Sequence, residues 1–366
     1  MNMFQSAWKL VPNKIRGKGG REIDKLRGVS PAVDTTSGSE AWIGSVTRVG
    51  NPPADNPNYG CAQVVLPDGR QMYLFEAIAL APSEVLGEKH MQKSGTGLGM
   101  LVKYLDAQAQ YGLQCHPTRA WAKEMFNSDY GKEESWYVIG LRDDVENPPY
   151  IYLGFKDGVT RADFEKYYFL DDIEALENLC HRIEVQMGDA YFVGGGVPHA
   201  LGEGCFVIEV QEPSDITLGA HTQGWTHRNR PGYRPPMDDA LFNARLLGAY
   251  IYDGCTPEEN LNRWQVAPTT IRSGAWGKED IIIGPQQTSF FSFTRVDVTA
   301  ETAVRQTGFP QIGIVLEGQG TLTFEGGSLP LQTGDEFFLP YNVSGACFVP
   351  NGNLAVILCH PEGVEY

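Results

Sequence analysis

The chain has 366 residues, 42% of them hydrophobic, and a formal net charge of −16 at pH 7, which suits two or three domains with substantial cores. The acidic balance, with no run of lysines and arginines, argues against nucleic acid or an anionic membrane surface as the main partner. No apolar stretch of about 18 residues is present to cross a bilayer, and seven scattered cysteines without a CxxC pair form no disulfide framework, so a reducing cytoplasm is expected.

The opening stretch MNMFQSAWKLVPNKIRGKGG has no long apolar run before its basic residues, so no secretion signal is expected. From about residue 40 onward, short β-type runs are punctuated by glycine and proline, as in Ala41–Val46 and Tyr150–Phe155. The pattern predicts a mainly β chain of mostly antiparallel sheet. Helical patterning is read over Met100–Ala109, Arg161–Leu170, Ile173–Leu179 and Asp238–Leu247, the last a small helical insert after an Arg-, Pro- and Gly-rich linker. Gly194-Gly195-Gly196 lacks the lysine and helix context of a phosphate loop and reads as close packing at a turn.

An internal repeat bears on the architecture. Val185-Gln-Met-Gly-Asp-Ala-Tyr-Phe-Val193 matches Leu331-Gln-Thr-Gly-Asp-Glu-Phe-Phe-Leu339 in residue type at nearly every position. In each copy a Gly-Asp turn feeds an alternating strand, and upstream of the second copy Gly313–Leu322 reads as strand, glycine turn and returning strand. Two small jelly-roll barrels are expected. The first copy runs on to His199, whereas the corresponding position after the second is Gly345. A metal-bearing first barrel and a metal-free second one follow.

The metal-ligating residues stand in short strand-like pieces: Gln114-Cys115-His116-Pro117, Gly131-Lys132-Glu133-Glu134-Ser135-Trp136-Tyr137 and Val197-Pro198-His199-Ala200. Side chains two apart on a strand share a face, so Gln114 and His116 look one way and Cys115 the other. Pro117 ends the strand near the barrel mouth. Glu134 and His199 complete a mixed O/N set. Such ligands suit Zn2+ first, and also divalent iron, manganese, cobalt or nickel. Lys132, two residues before Glu134, is expected to point into the same cavity.

With these residues in place, the chain resembles the type I mannose-6-phosphate isomerases of the cupin superfamily. The resemblance begins at Glu40-Ala41-Trp42, strengthens at Leu101–Ala107, and runs through the three metal segments and Gly188-Asp189 to Glu209-x-Gln211-x-x-Ser214-Asp215-x-Thr217. It implies two cupin-type barrels, with an N-terminal catalytic barrel over 1–215, a linker and helical insert over 216–265 and a metal-free barrel over 266–366. It implies a catalytic zinc on Gln114, His116, Glu134 and His199, with Lys103 and Lys132 facing a sugar or sugar-phosphate substrate. Glu209 is a candidate acid/base group. One departure stands out: where the family carries an arginine two positions beyond the threonine, this chain has Gly219. Arg228, Arg230 and Arg234 are candidate replacements for binding substrate, and Arg16, Arg21 and Arg27 are candidate phosphate contacts.

The resemblance implies interconversion of mannose 6-phosphate and fructose 6-phosphate. Two other readings stand beside it, a related cupin isomerase acting on another sugar and a non-catalytic sugar-binding regulatory cupin.

Overall fold

The structure is a computed structural model and describes residues 3–50, 52–220 and 238–366. It is mainly β, in several sheets. The chain divides into two compact units that interleave along the sequence. One is built from 1–105, 208–213 and 267–366, the other from 106–207 and 214–266.

The first unit is dominated by one large antiparallel sheet. Its strands lie in the order Thr269–Gly274, Gly277–Ile283, Phe291–Val298, Cys347–Pro361, Gln311–Phe324, Glu336–Leu339, Trp8–Leu10, Gln63–Val65 and Gln71–Tyr73. Alternation selects what the sheet buries: Val296, Val298, Val315, Leu354, Val356 and Leu358 are all at most 1% exposed and form one apolar cluster. Fully burying such side chains stabilises by about 1.5–3 kcal/mol each. Gln311–Phe324 corrects one expectation. No turn interrupts it; the glycines instead make irregularities in a continuous strand, with register shifts at Val315/Glu317 and Gly318/Gly320. At Gly318, where φ is +80°, a Cβ would lie 2.0 Å from the Asn353 carbonyl oxygen. The glycine therefore permits a bulge where the sequence suggested a hairpin.

A second correction concerns Met100–Ala109, expected as helix. Leu101–Asp106 is a strand paired to Glu40–Ile43, with Trp42 opposite Lys103. All six of its residues are buried, so the strand lacks the polar alternation that marks a half-exposed one. A short run that is buried throughout, here with Lys103 and Asp106 inside it, does not separate strand from helix by periodicity.

The second unit carries a five-stranded sheet in the order Leu218–Gly219, Gln114–Cys115, His199–Leu201, Tyr150–Phe155 and Cys180–Glu184, and the pair Ala190–Val193 with Glu134–Leu141. Expected helices are present at Arg161–Leu170, Ile173–Asn178 and Asp239–Leu247, and Pro257–Trp264 adds another. Capping explains their starts. Thr160 and Asp163, and likewise Thr256 and Glu259, exchange side-chain to backbone hydrogen bonds, and Pro257 occupies the first turn of its helix. The helices pack Phe164, Tyr168, Phe242 and Leu246 against Cys115, Phe155 and Cys180.

The repeated Gly-Asp motif is structurally the same in both units. Gly188 and Gly334 have φ of +90° and +86°. Asp189 Oδ2 accepts from the Gln186 N–H at 2.9 Å, and Asp335 Oδ2 from the Gln332 N–H at 3.0 Å. All seven cysteines are free thiols. No helix among the described residues is long and apolar enough to cross a membrane.

Candidate metal centre

Strand register assembles the site within the second unit. His199 stands opposite Gln114, and Glu134 opens its strand opposite Val193. Cys115 is fully buried in the apolar cluster, which leaves the other strand face to Gln114 and His116. The strand ends at Cys115, before His116 and Pro117. The Lys132 N–H then donates to the Pro117 carbonyl at 3.0 Å, and the Gly196 N–H to that of His116 at 2.7 Å. These main-chain bonds bring Lys132 and the triple-glycine turn beside the histidine. Lys132 itself precedes the strand Glu134–Leu141 rather than lying on it.

His116, Glu134 and His199 are at most 1% exposed, and one ligand atom from each lies within 4.8 Å of the others. Glu134 Oε2 is 3.0 Å from His116 Nε2 and Oε1 is 3.3 Å from His199 Nε2. The Gln114 amide nitrogen is 3.5 Å from His199 Nε2, and a half-turn of the amide presents its oxygen to the same space. Trp136 packs against the site, its ring centre 5.5 Å from that of His199 and the two planes 73° apart.

The far nitrogens of the two rings fix what the near ones can do. His116 Nδ1 is 3.0 Å from the Ile216 carbonyl oxygen and His199 Nδ1 is 2.9 Å from that of Val197. A carbonyl only accepts, so each Nδ1 carries the hydrogen and each Nε2 offers a lone pair in the neutral ring. Burial drives both rings neutral. It is the main cause that brings His116 down to about 3, with Lys132 adding to it and Glu134 opposing, and it lowers His199 as well. Burial alone would raise Glu134, but the Lys132 charge outweighs it and holds the carboxyl well below its ordinary range.

Three acceptors therefore face one another and require a cation. Lys132 Nζ supplies one, donating to His116 Nε2 at 2.6 Å and to Glu134 Oε2 at 2.7 Å. The same lone pairs fit a divalent ion, with two imidazole nitrogens, a carboxylate and an amide oxygen as donor set. The ion and the lysine amine would compete for the same atoms.

Gly219 is in register with Gln114, so the position where the family resemblance expects arginine adjoins the ligand set without a side chain. Lys103 and Glu209 meet in the first unit. Their ion pair is 2.7 Å long, with both side chains at most 4% exposed, and Lys103 Nζ lies 5.3 Å from the Trp42 ring centre. Glu40 completes this cluster, accepting from Arg16 at 2.8 Å and from the Trp42 indole at 3.0 Å. Arg21 pairs with Glu22 at 2.8 Å and Arg27 with Glu336 at 2.6 Å, so all three N-terminal arginines have carboxylate partners. Arg228, Arg230 and Arg234 lie outside the described residues. Sequence reasoning missed the orienting carbonyls of Val197 and Ile216, because a main-chain acceptor leaves no trace in residue type. Trp136 was legible in principle, two residues from Glu134 and on its face of the strand.

The family model "Mannose-6-phosphate isomerase, cupin domain" matches residues 282–361. Mannose-6-phosphate isomerase ManA of Bacillus subtilis is 32% identical over 256 residues, 69% of this chain and 72% of that protein. The mannose-6-phosphate isomerase of Streptococcus mutans is 25% identical over 265 residues, 71% and 73% of the two chains. Among solved structures, the B. subtilis mannose 6-phosphate isomerase superposes with a TM-score of 0.72 at 23% identity, covering 97% of this chain and 99% of that one. The Salmonella typhimurium enzyme, described as bound to substrate and zinc, gives 0.70 at 17% identity over 98% and 100%. On its sequence match to ManA, and with a fold that agrees, the chain belongs to the mannose-6-phosphate isomerase family.

Proposed function

We propose that this chain is a zinc-dependent aldose–ketose isomerase interconverting mannose 6-phosphate and fructose 6-phosphate. The observation that carries the reading is the convergence of two neutral imidazoles on one buried carboxylate, with Lys132 Nζ within hydrogen-bond distance of His116 and Glu134. The family relatives bear the name of that activity. His116, Glu134, His199 and Gln114 would hold the ion. When bound, it would supply a fixed positive charge against the negative charge that develops as a proton leaves the carbon beside the sugar carbonyl.

Lys132 then has two roles in this reading. It neutralises His116 and Glu134 through the two hydrogen bonds described, and with those atoms holding an ion its amine would be placed to bind substrate oxygen and hold or return a proton there. The buried Lys103–Glu209 ion pair is the other acid/base couple we propose. Arg228 and Arg230 are proposed to grip the phosphate, since a guanidinium fork matches its oxygens. We also read the chain as two cupin-type jelly rolls, over 1–215 and 266–366, joined by the insert 216–265. The bare Gly219 beside Gln114 favours a second reading, in which a different sugar is the substrate.

The test is fructose 6-phosphate formation from mannose 6-phosphate by zinc-loaded protein, with and without chelator, beside an unphosphorylated mannose control. Chelator-sensitive turnover of the phosphorylated sugar supports the leading reading. Zinc bound with turnover only of the unphosphorylated sugar supports the second. Zinc bound with no turnover of either points to a binding protein.

A further inference from the structure

A second cluster of buried polar groups lies at one end of the C-terminal sheet, in the unit that does not contain His116, Glu134 and His199. Along Phe291–Val298 and Cys347–Pro361 the cross-strand pairs Val298–Leu354 and Val296–Val356 belong to the apolar core. The next pairs on that face are Thr294–Leu358 and Ser292–His360. The face thus turns from apolar to polar within two steps. His360 is 1% exposed, and neither ring nitrogen meets a hydrogen-bonding partner among the described residues. The same holds for Thr294 Oγ1, Gln311 Oε1, Glu279 Oε1 and two nitrogens of Arg305. Glu279 pairs with Val296 and so shares this face.

Buried polar atoms cost free energy unless paired, and folded proteins keep few of them. Here they gather at one end of one sheet. Arg305 Nε is 3.5 Å from Glu279 Oε1, an ion pair without a hydrogen bond, and its guanidinium carbon lies 4.3 Å from the Tyr366 ring centre. The Tyr366 hydroxyl donates to Ser292 Oγ at 2.7 Å. Tyr366 and Ser292 also line a cavity of about 460 Å³ together with Phe291, Thr288 and Val364. Tyr366 therefore stands between open space and the buried polar groups. Arg272 donates to Glu279 at 2.5 Å, so two guanidiniums face one carboxylate. Burial pushes His360 well below its ordinary range, with Arg305 adding to it, and a neutral ring leaves the positive balance to the arginines.

We propose that this end of the sheet is a second ligand site that takes a small polyhydroxylated carboxylate. The carboxylate pairs with Arg305, its hydroxyls pair with Thr294, Gln311 and His360, and Tyr366 lies over the entrance. A planar guanidinium edge matches a carboxylate, and a hydroxyl both donates and accepts, as this mixture of groups requires. The inference does not depend on the reaction proposed for the metal centre.

Isothermal titration calorimetry of the zinc-loaded full chain with D-gluconate tests it, with D-glucitol as the neutral polyol. Saturable gluconate binding is expected, with glucitol about tenfold weaker or more. Arg305→Met should weaken gluconate by a similar factor, while the metal-centre variant His116→Asn should leave it unchanged. Absence of saturation up to millimolar gluconate would mean that solvent satisfies these groups, and would overturn the proposal. So would binding lost in His116→Asn but kept in Arg305→Met. If Arg305→Met does not fold, Thr294→Val with an unchanged circular dichroism spectrum takes its place, and undiminished affinity in that variant refutes the site.

Discussion

Lys132→Met separates the two ways of neutralising the ligand set. Lys132 Nζ bonds His116 Nε2 and Glu134 Oε2 at 2.6 and 2.7 Å, with its side chain 5% exposed and that of Glu134 1%. Removing one partner of a buried ion pair costs roughly 3–5 kcal/mol, because the other charge is left uncompensated. At about 2–4 °C per kcal/mol for a unit of this size, the chelated variant should melt roughly 6–20 °C below chelated wild type. Zinc should narrow the gap, since the variant's ligands carry no competing amine. Saturation at a thousandfold excess over Kd returns about 4 kcal/mol, so the variant should gain more from zinc than wild type does. The assay is thermal denaturation by circular dichroism of both proteins after chelation and across a zinc titration. Equal melting of the chelated proteins, or equal gains on adding zinc, would refute the argument that the amine and the ion compete for the same lone pairs.

Acid sensitivity of the chelated protein should trace to His116, held at about 3 in the fold against 6.5 for an unperturbed ring. The unfolded chain takes up that proton first, so the contribution is complete above about pH 6.5 and is lost as pH falls toward 3, by up to about 1.4 kcal/mol per pH unit. Denaturant midpoints of chelated wild type and His116→Gln at pH 7, 6, 5 and 4 should therefore converge as pH falls, and a constant gap would contradict the assignment. Lys103→Met and Glu209→Gln should each destabilise by roughly 3–5 kcal/mol, with the double variant costing clearly less than the sum; strict additivity in urea unfolding would show that the pair does not interact. Thr256→Ala, which removes the cap of Pro257–Trp264, should cost about 1 kcal/mol by the same measurement, and no change would mean that the helix start is held by packing alone.

The ligand set was legible because its information is local. Gln114-x-His116 and Lys132-x-Glu134 place side chains two apart, and extended backbone keeps each pair to one side although the strands themselves end at Cys115 and begin at Glu134. The Gly-Asp repeat was legible for the same reason, since the turn is closed by an aspartate bonding a backbone N–H three residues back. What could not be read was set at long range. Leu101–Asp106 is a strand because Glu40–Ile43 lies beside it, and Gly318 makes a bulge because Asn353 and Leu354 pass close by. Lys103 and Glu209 were named singly, and no spacing between them announces a 2.7 Å pair.

The tautomers of His116 and His199 are held by the carbonyls of Ile216 and Val197, and every amino acid at 216 or 197 carries the same oxygen. Orientation of the two rings is thus insulated from substitution at the positions that provide it, so long as the backbone path is kept. Lineages of this fold are free to drift far in side-chain composition around the centre, and a quarter to a third of residues in common, as with the bacterial relatives, is compatible with an unchanged pair of imidazole lone pairs.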